Sequence, residues 1–251
     1  MPHGWEGRLV GFACAPPALV ARRDLCRRVE SKFVIPIAAT QALVASLASD
    51  YVVLPAGAAR VASYRSLYFD TEDLAFFHAQ RRGYRLRHKV RIRHYPDRLV
   101  SFLEIKMRVG DGLTSKARRP RAYGDDAMSA DDLRFVRAHA PVGDDLGPRV
   151  RIDYSRITLL NLRCAERVTI DIDLAVSGGV LGDWIRNVAV VEVKQATLDR
   201  RSTAMATLRA ARWRPGWASK YCIGVACTRP DVRLTRLREG LRAVEAVGTH
   251  A

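Results

Sequence analysis

Apolar and polar residues alternate with a period of two along most of this chain. From Arg85 to Arg93 the run RLRHKVRIR predicts a strand with Arg85, Arg87, Lys89, Arg91 and Arg93 on one face. Leu86, Val90 and Ile92 share the other face with His88. Tyr95-Pro96-Asp97-Arg98 predicts a turn. The next run, SFLEIKMR, sets Glu104, Lys106 and Arg108 opposite Leu103, Ile105 and Met107, and Lys116 and Arg118 fall together in the segment after it. ERVTIDID aligns Arg167, Thr169, Asp171 and Asp173, VAVVEVK aligns Glu192 and Lys194, and Glu30 and Lys32 alternate with Val29 and Phe33. Helical spacing is confined to 38–48, 71–80, 129–140, 198–212 and 231–247.

Half-polar antiparallel strands normally turn the polar face to water. That accounts for any one of these strands. It accounts less well for five or six, because five cations within nine residues on one strand face repel each other and solvated faces usually mix signs. If the sheet closes on itself, the charged faces line a lumen, the apolar faces pack outward against helices, and an anion in the lumen relieves the repulsion. The expected fold is therefore α+β: an antiparallel β-barrel, or tunnel, with a cationic lumen and helices packed outside.

Composition agrees. The chain has 251 residues, 48% of them hydrophobic, and 42 Lys and Arg against 26 Asp and Glu, a net charge of +16. Such an excess points to an anionic partner. Nucleic acid is not expected, because the charge lies on strand faces and aromatics make up only 8%. Five cysteines form no CxxC pair, which argues against a zinc site or a disulfide framework and for a reducing compartment. No apolar run reaches the roughly 18 residues of a membrane helix. Leu9–Ala21 is mildly apolar but broken by Pro16 and Pro17, and reads as part of a loose arm over 1–27. The expected organisation is that arm, a tunnel domain over 28–228, and a C-terminal helix over 229–251. The expected location is cytoplasmic, with docking at the inner face of a membrane compatible with the sequence.

Motifs of other phosphate chemistries are missing: no GxxxxGK[ST] and no GxGxxG after a strand, nor HExxH or GxSxG. What remains is cations with a few carboxylates among them. Arginine forks grip phosphate oxygens in pairs and lysine adds a point charge. Phosphoryl transfer asks a protein mainly for positioning, charge neutralisation and a metal. The candidate metal ligands are Glu192, Glu30 and Glu104, since Mg²⁺ is commonly held by one or two carboxylates plus substrate phosphates. Glu192, between Val191 and Val193, is the strongest of them, with a structural salt bridge as its alternative; for Glu30 and Glu104, each two residues from a lysine on the same face, an ion-paired role weighs as much, because buried charges must be paired.

At these residues the chain resembles a known family, the polyphosphate polymerase domains of the vacuolar transporter chaperone (VTC) type, within the triphosphate tunnel metalloenzymes. The resemblance rests on Arg28-Val29-Glu30-Ser31-Lys32-Phe33, Ser66-Leu67-Tyr68-Phe69-Asp70-Thr71, Lys89-Val90-Arg91-Ile92-Arg93-His94-Tyr95, Phe102-Leu103-Glu104-Ile105-Lys106 and Lys116-Ala117-Arg118. It continues through Glu166-Arg167-Val168-Thr169-Ile170-Asp171, Val191-Glu192-Val193-Lys194 and Ser219-Lys220-Tyr221, in the family's order. It implies transfer of the ATP γ-phosphate to a growing polyphosphate chain, with Mn²⁺ or Mg²⁺ as cofactor, ATP and polyphosphate as ligands and room for a membrane-protein partner. Lys32, Arg91, Arg93, Lys106, Arg167 and Lys220 would carry the reaction. Lys116 and Ser219 would line the phosphate path; Arg87, Lys89, Arg118 and Lys194, on the same strand faces, join them. Arg28 stands where tunnel hydrolases carry the first glutamate of an ExExK pattern, which favours the polymerase branch. The alternatives are a tunnel-fold triphosphatase or short-chain polyphosphatase, and a binding protein without catalysis.

Overall fold

In the computed structural model, residues 3–22, 29–110, 114–177, 187–216, 219–229 and 232 are described. Period-two segments become strands: β1 (Val29–Pro36), β2 (Tyr51–Val53), β3 (Val61–Asp70), β4 (Arg87–Tyr95), β5 (Val100–Arg108), β6 (Thr114–Arg121), β7 (Gly147–Asn161), β8 (Glu166–Ser177) and β9 (Val188–Gln195). They form one antiparallel sheet in the order β1-β9-β8-β7-β3-β4-β5-β6, with β2 on β7. The sheet is antiparallel, as expected, and among the described residues no ladder joins β1 to β6. The sheet curls far enough that Glu30 and Lys32 of β1 and Thr114 and Lys116 of β6 line one cavity.

The convex face is apolar, as the alternation requires. Helices α1 (His3–Arg8), α3 (Ile37–Ser46) and α6 (Thr203–Ala210) cover Phe33, Ile35, Ile157, Val168, Ile170 and Val191. Helix α5 (Ala130–Arg137) and part of α4 (Ala75–Arg82) cover Leu67, Val90, Ile92, Leu103 and Ile105. The Ser129 opening of α5 is a capping box: Ser129 Oγ accepts from Asp132 N at 3.1 Å while the Asp132 carboxylate accepts from Ser129 N at 3.0 Å. The N-terminal segment is not a loose arm. Trp5, Leu9 and Phe12 are buried in the main core, and Leu19 of α2 (Pro17–Arg22) packs with Val52 and Leu160. The expected helix over 231–247, like Arg28, lies outside the described residues apart from Val232.

The outside rule does not hold for every helix. Helix α7 (Lys220–Thr228) packs on the concave face, where Tyr221, Cys222 and Val225 meet Val150, Ile152, Val188 and Val190. Two features make room. The concave face of β7 and β9 changes along each strand, from Val150 and Ile152 to Tyr154 and Arg156, and from Val188 and Val190 to Glu192 and Lys194. In β8 a bulge opposite Asp153 and Ser155 puts Asp173 at φ 52°. It turns Leu174 and Val176 toward α7, although Val168, Ile170 and Ile172 of the same parity face outward. Asp70 then ties the layers together. Its carboxylate accepts from the backbone N–H groups of Thr71 (2.8 Å), Phe76 (2.9 Å) and Phe77 (2.9 Å) and from the Tyr221 hydroxyl.

The fit of α7 is tight at Gly224, where an added Cβ would lie 2.7 Å from Ile152 Cδ1 and 2.9 Å from Val150 Cγ2. Gly224→Val should therefore cost about 2–3 kcal/mol by overpacking, lowering the melting temperature by about 4–12 °C. Gly11→Ala, with open space around it, should change the melting temperature little.

Candidate functional site: a cationic trough

Strand β4 supplies the centre of the site. Lys89, Arg91 and Arg93 point into the trough, as the alternation predicts, and Arg87 reaches it at one end. Arg85 lies before the strand begins, and Leu86 is exposed rather than on the covered apolar face. The cavity has a volume of about 490 Å³ and is lined by nine Lys and Arg side chains and three glutamates. Lys32, Lys106, Lys116, Lys194 and Lys220 all line it, with Ser219 and with Glu30, Glu104 and Glu192.

Two predicted residues are elsewhere. Arg167 shares the concave face of β8 but stands opposite Leu160, which packs under α2, and does not line the cavity. Arg118 is exposed at one mouth, its guanidinium 5.1 Å from the ring centre of Phe102. Five residues that the sequence did not single out as site residues do line it: Tyr68, Thr114, Tyr154, Arg156 and Tyr221. Arg156 takes the place expected of Arg167. Its signal was masked because the β7 run RIDYSRITLL mixes polar residues on both faces.

Three carboxylates organise the cations. Glu104, almost fully buried, accepts from Arg91 Nε at 2.8 Å and Nη2 at 2.6 Å and pairs with Lys116 at 2.5 Å and Arg93 at 3.9 Å. Burial acts to raise its pKa, but Arg91, Arg93 and Lys116 outweigh this and hold the carboxyl well below the usual range. Glu192 pairs with Lys32 and, at 2.8 Å, with Lys194; burial opposes these too, and they likewise hold it well below its usual value. Asp171 bridges Arg156, whose Nη2 lies 2.9 Å away, and Lys220; against the effect of burial they bring its pKa down to about 2.

Two lysines lie outside these clusters. Lys89 and Lys106 are cross-strand neighbours, and Lys116 is the next neighbour along the row. Like charges in that position are unfavourable. Lys89 donates to Ser219 Oγ at 2.9 Å, and burial depresses its pKa. Burial also drives down the ammonium of Lys106; Lys89 and Lys32 add to this, Glu30 and Glu192 oppose it, and the pKa comes to about 8. This row is where an incoming anion gains most.

A second cavity of about 300 Å³ adjoins the first, sharing Glu30, Lys32, Lys89, Lys106 and Ser219 and continuing to Arg87 and Arg108. Glu30 and Glu192 both contact the Lys32 ammonium, so two carboxylates converge on one cationic point. That donor pair suits a hard divalent cation whose remaining positions are filled by phosphate oxygens and water. Glu104, enclosed by three cations, does not suit one. Among the described residues no three His, Cys, Asp or Glu side chains converge.

The trough, its cation rows and its inserted helix define a curved antiparallel sheet with a cationic concave face. The VTC domain profile matches residues 27–229, and the chain belongs to the VTC domain family. No curated protein matches it. Among solved structures it is similar to a putative adenylyl cyclase from Hippeastrum, described as having a dominant triphosphatase activity, at 15% identity and TM-score 0.54, over 79% of this chain and 95% of that one. A putative adenylate cyclase from Bacillus halodurans is similar at 15% identity and TM-score 0.46, over 77% of this chain and 94% of that one.

Two outcomes follow from the charge network. Glu104→Gln removes the counter-charge of Arg91, Arg93 and Lys116 and should cost about 3–5 kcal/mol at neutral pH, read by urea unfolding. Because the folded-state pKa of Glu104 is depressed, that stabilisation is present above about pH 4.3 and is lost as the pH falls through the depressed value. Lys106→Met should have the opposite sign. With its pKa near 8, folded Lys106 binds fewer protons than the unfolded chain between pH 8 and about 10.4, so wild type gains stability from this group as pH rises through that window. The Met variant should be about 1–2 kcal/mol more stable at pH 7, allowing for the part of the side chain left in water. It should also lack that rise in stability.

Proposed function

We propose that this protein is a polyphosphate polymerase, transferring the γ-phosphate of ATP to the end of a polyphosphate chain held in the trough. The observation that carries the proposal is the continuity of the two basic cavities through Lys32, Lys89 and Lys106. A triphosphate needs one such cavity; a lengthening chain needs a path onward, which Arg87 and Arg108 supply. In the reaction a terminal phosphate oxygen of the chain attacks the γ-phosphorus, the bond to the β-phosphate oxygen breaks, and ADP leaves with that oxygen.

Arg91 and Arg93 lie on one strand face about 6.6 Å apart and would grip successive phosphoryl groups through paired bonds. Lys89, Lys106, Lys32 and Lys220 would neutralise the charge that spreads over the transferring group. Lys116 and Lys194, each held by a carboxylate, would extend the gripping surface, and Ser219 would orient Lys89. Glu192 and Glu30 would hold Mg²⁺ or Mn²⁺, which supplies further charge neutralisation when bound. In that state Lys32 would turn from the carboxylates toward phosphate.

A second reading, hydrolysis of triphosphate or short polyphosphate, is favoured by the activity described for the Hippeastrum protein. Incubation with ATP and Mn²⁺ or Mg²⁺ separates them. Long polyphosphate with ADP is the expected product; ADP and free phosphate without polymer would establish the second reading instead.

Arg91→Lys and Arg93→Lys should each lose at least tenfold in turnover at unchanged net charge, since lysine cannot reproduce the paired bonds. Arg200→Lys, at an exposed position, should be silent. Glu192→Gln should abolish metal-dependent turnover while polyphosphate still raises the melting temperature. Normal turnover in that variant would reduce Glu192 to a salt-bridge residue.

A further inference from the structure

We infer that the mouth formed by Tyr95, Phe102 and Arg118 is a stacking platform for the nucleobase of the triphosphate substrate. The inference rests on the proposed use of a nucleoside triphosphate and assigns which end of the trough receives its base.

The two ends differ in chemistry. At the Arg87 and Arg108 end, no ring among the described residues lies over the lining cations. At the other end nearly every cation lies over a ring. Arg93 is 5.1 Å from the ring centre of Tyr64, and Arg156 is 5.0 Å from Tyr64 and 5.4 Å from Tyr154. Tyr64 and Tyr154 stack with centroids 5.0 Å apart and planes at 1°. Arg156 is already partly satisfied by two π faces and by Asp171, so it offers less to a further phosphate.

Beyond this inner layer the stack runs outward to solvent. Tyr95 meets Tyr64 edge-on at 5.2 Å and Phe102 edge-on at 6.0 Å, and both side chains are half-buried. Arg118, opposite Glu104 in the ladder, places its guanidinium carbon 5.1 Å from the Phe102 ring centre while remaining exposed itself. The outer layer is joined to the cavity through one residue. Tyr95 Oη donates to Glu104 Oε1 at 3.3 Å, and the same carboxylate oxygen pairs with Lys116.

A guanidinium plane and half-exposed rings at the entrance to a phosphate-binding cavity suit a flat aromatic group tethered to a phosphate. Every base has a π face, so stacking of this kind is tolerant of base identity. The expected ligand is therefore a nucleoside triphosphate of either purine, held more tightly than the bare triphosphate.

Competition binding to the full chain tests this, with ATP, GTP and inorganic tripolyphosphate measured on wild type, Phe102→Ala and Phe102→Leu. The Leu variant keeps apolar volume but no π face, and melting temperature verifies that both variants fold. Wild type should bind ATP and GTP alike and roughly tenfold more tightly than tripolyphosphate. In both variants the nucleotides should weaken by that factor and tripolyphosphate should not change. Equal weakening of all three ligands, unchanged nucleotide affinity in the folded variants, or a wild type that does not prefer nucleotide over tripolyphosphate would overturn the inference while leaving phosphate binding intact. Wild type that binds none of the three would overturn the proposed function, and this inference with it.

Discussion

The mutual repulsion of cations inside the trough is the constraint around which this structure is arranged. Nine basic side chains share one cavity, and a ligand-free fold survives only because Glu104, Glu192 and Asp171 each clamp two or more of them. The carboxylates come from three strands, β5, β9 and β8, so the charge balance is distributed around the curve of the sheet. What they leave over, chiefly Lys89 and Lys106, is charge without a carboxylate partner among the described residues. Each of these buried lysines makes the protein less stable, and an anion bound under the proposed function would offset that cost.

The same balance explains why arginines and lysines are not spread evenly. Arg91, Arg93 and Arg156 lie over tyrosine rings, where a delocalised, weakly hydrated guanidinium can accept burial. Lys194 and Lys220 are buried to a similar degree, whereas Lys32 and Lys116 stay more open, where a compact charge can swing on its stem. Lys32, held by Glu30 and Glu192, is the clearest example.

How far the sequence discloses this depends on whether a feature is local. Alternation in β4 and β5 is a local property, and Lys89, Arg91, Arg93, Glu104 and Lys106 were legible from it. Arg85 belongs to the same arithmetic series but precedes the strand, because Gly83 ends α4 at φ 74° only a few residues before β4 begins. Leu174 and Val176 continue the parity of Ile172, yet the bulge at Asp173 reverses them; nothing in the spacing announces it. Helix α7 is apolar on nearly every side, so periodicity could not show that it enters the concave face. Arg156 in place of Arg167 became apparent only once β7 was seen to bring Tyr154 and Arg156 inward, beside an Asp171 and a Lys220 distant in the chain.

The ladder between β1 and β9 has a consequence for how the chain comes into being. The first long strand finds its partner in the last, and Lys32 is separated from Glu192 by 160 residues. During synthesis at roughly 5–20 residues per second, β1 therefore waits on the order of 10–30 s with its ladder groups unpaired. The basic face of β4 and β5 forms as a local hairpin long before Asp171, Glu192 or α7 exists to balance or cover it. Such a topology, dominated by contacts between distant parts of the chain, folds slowly. Through that interval the nascent chain is an open polycationic surface beside a ribosome rich in polyanion, and the carboxylates of β8 and β9, arriving last, release it as they close the charge.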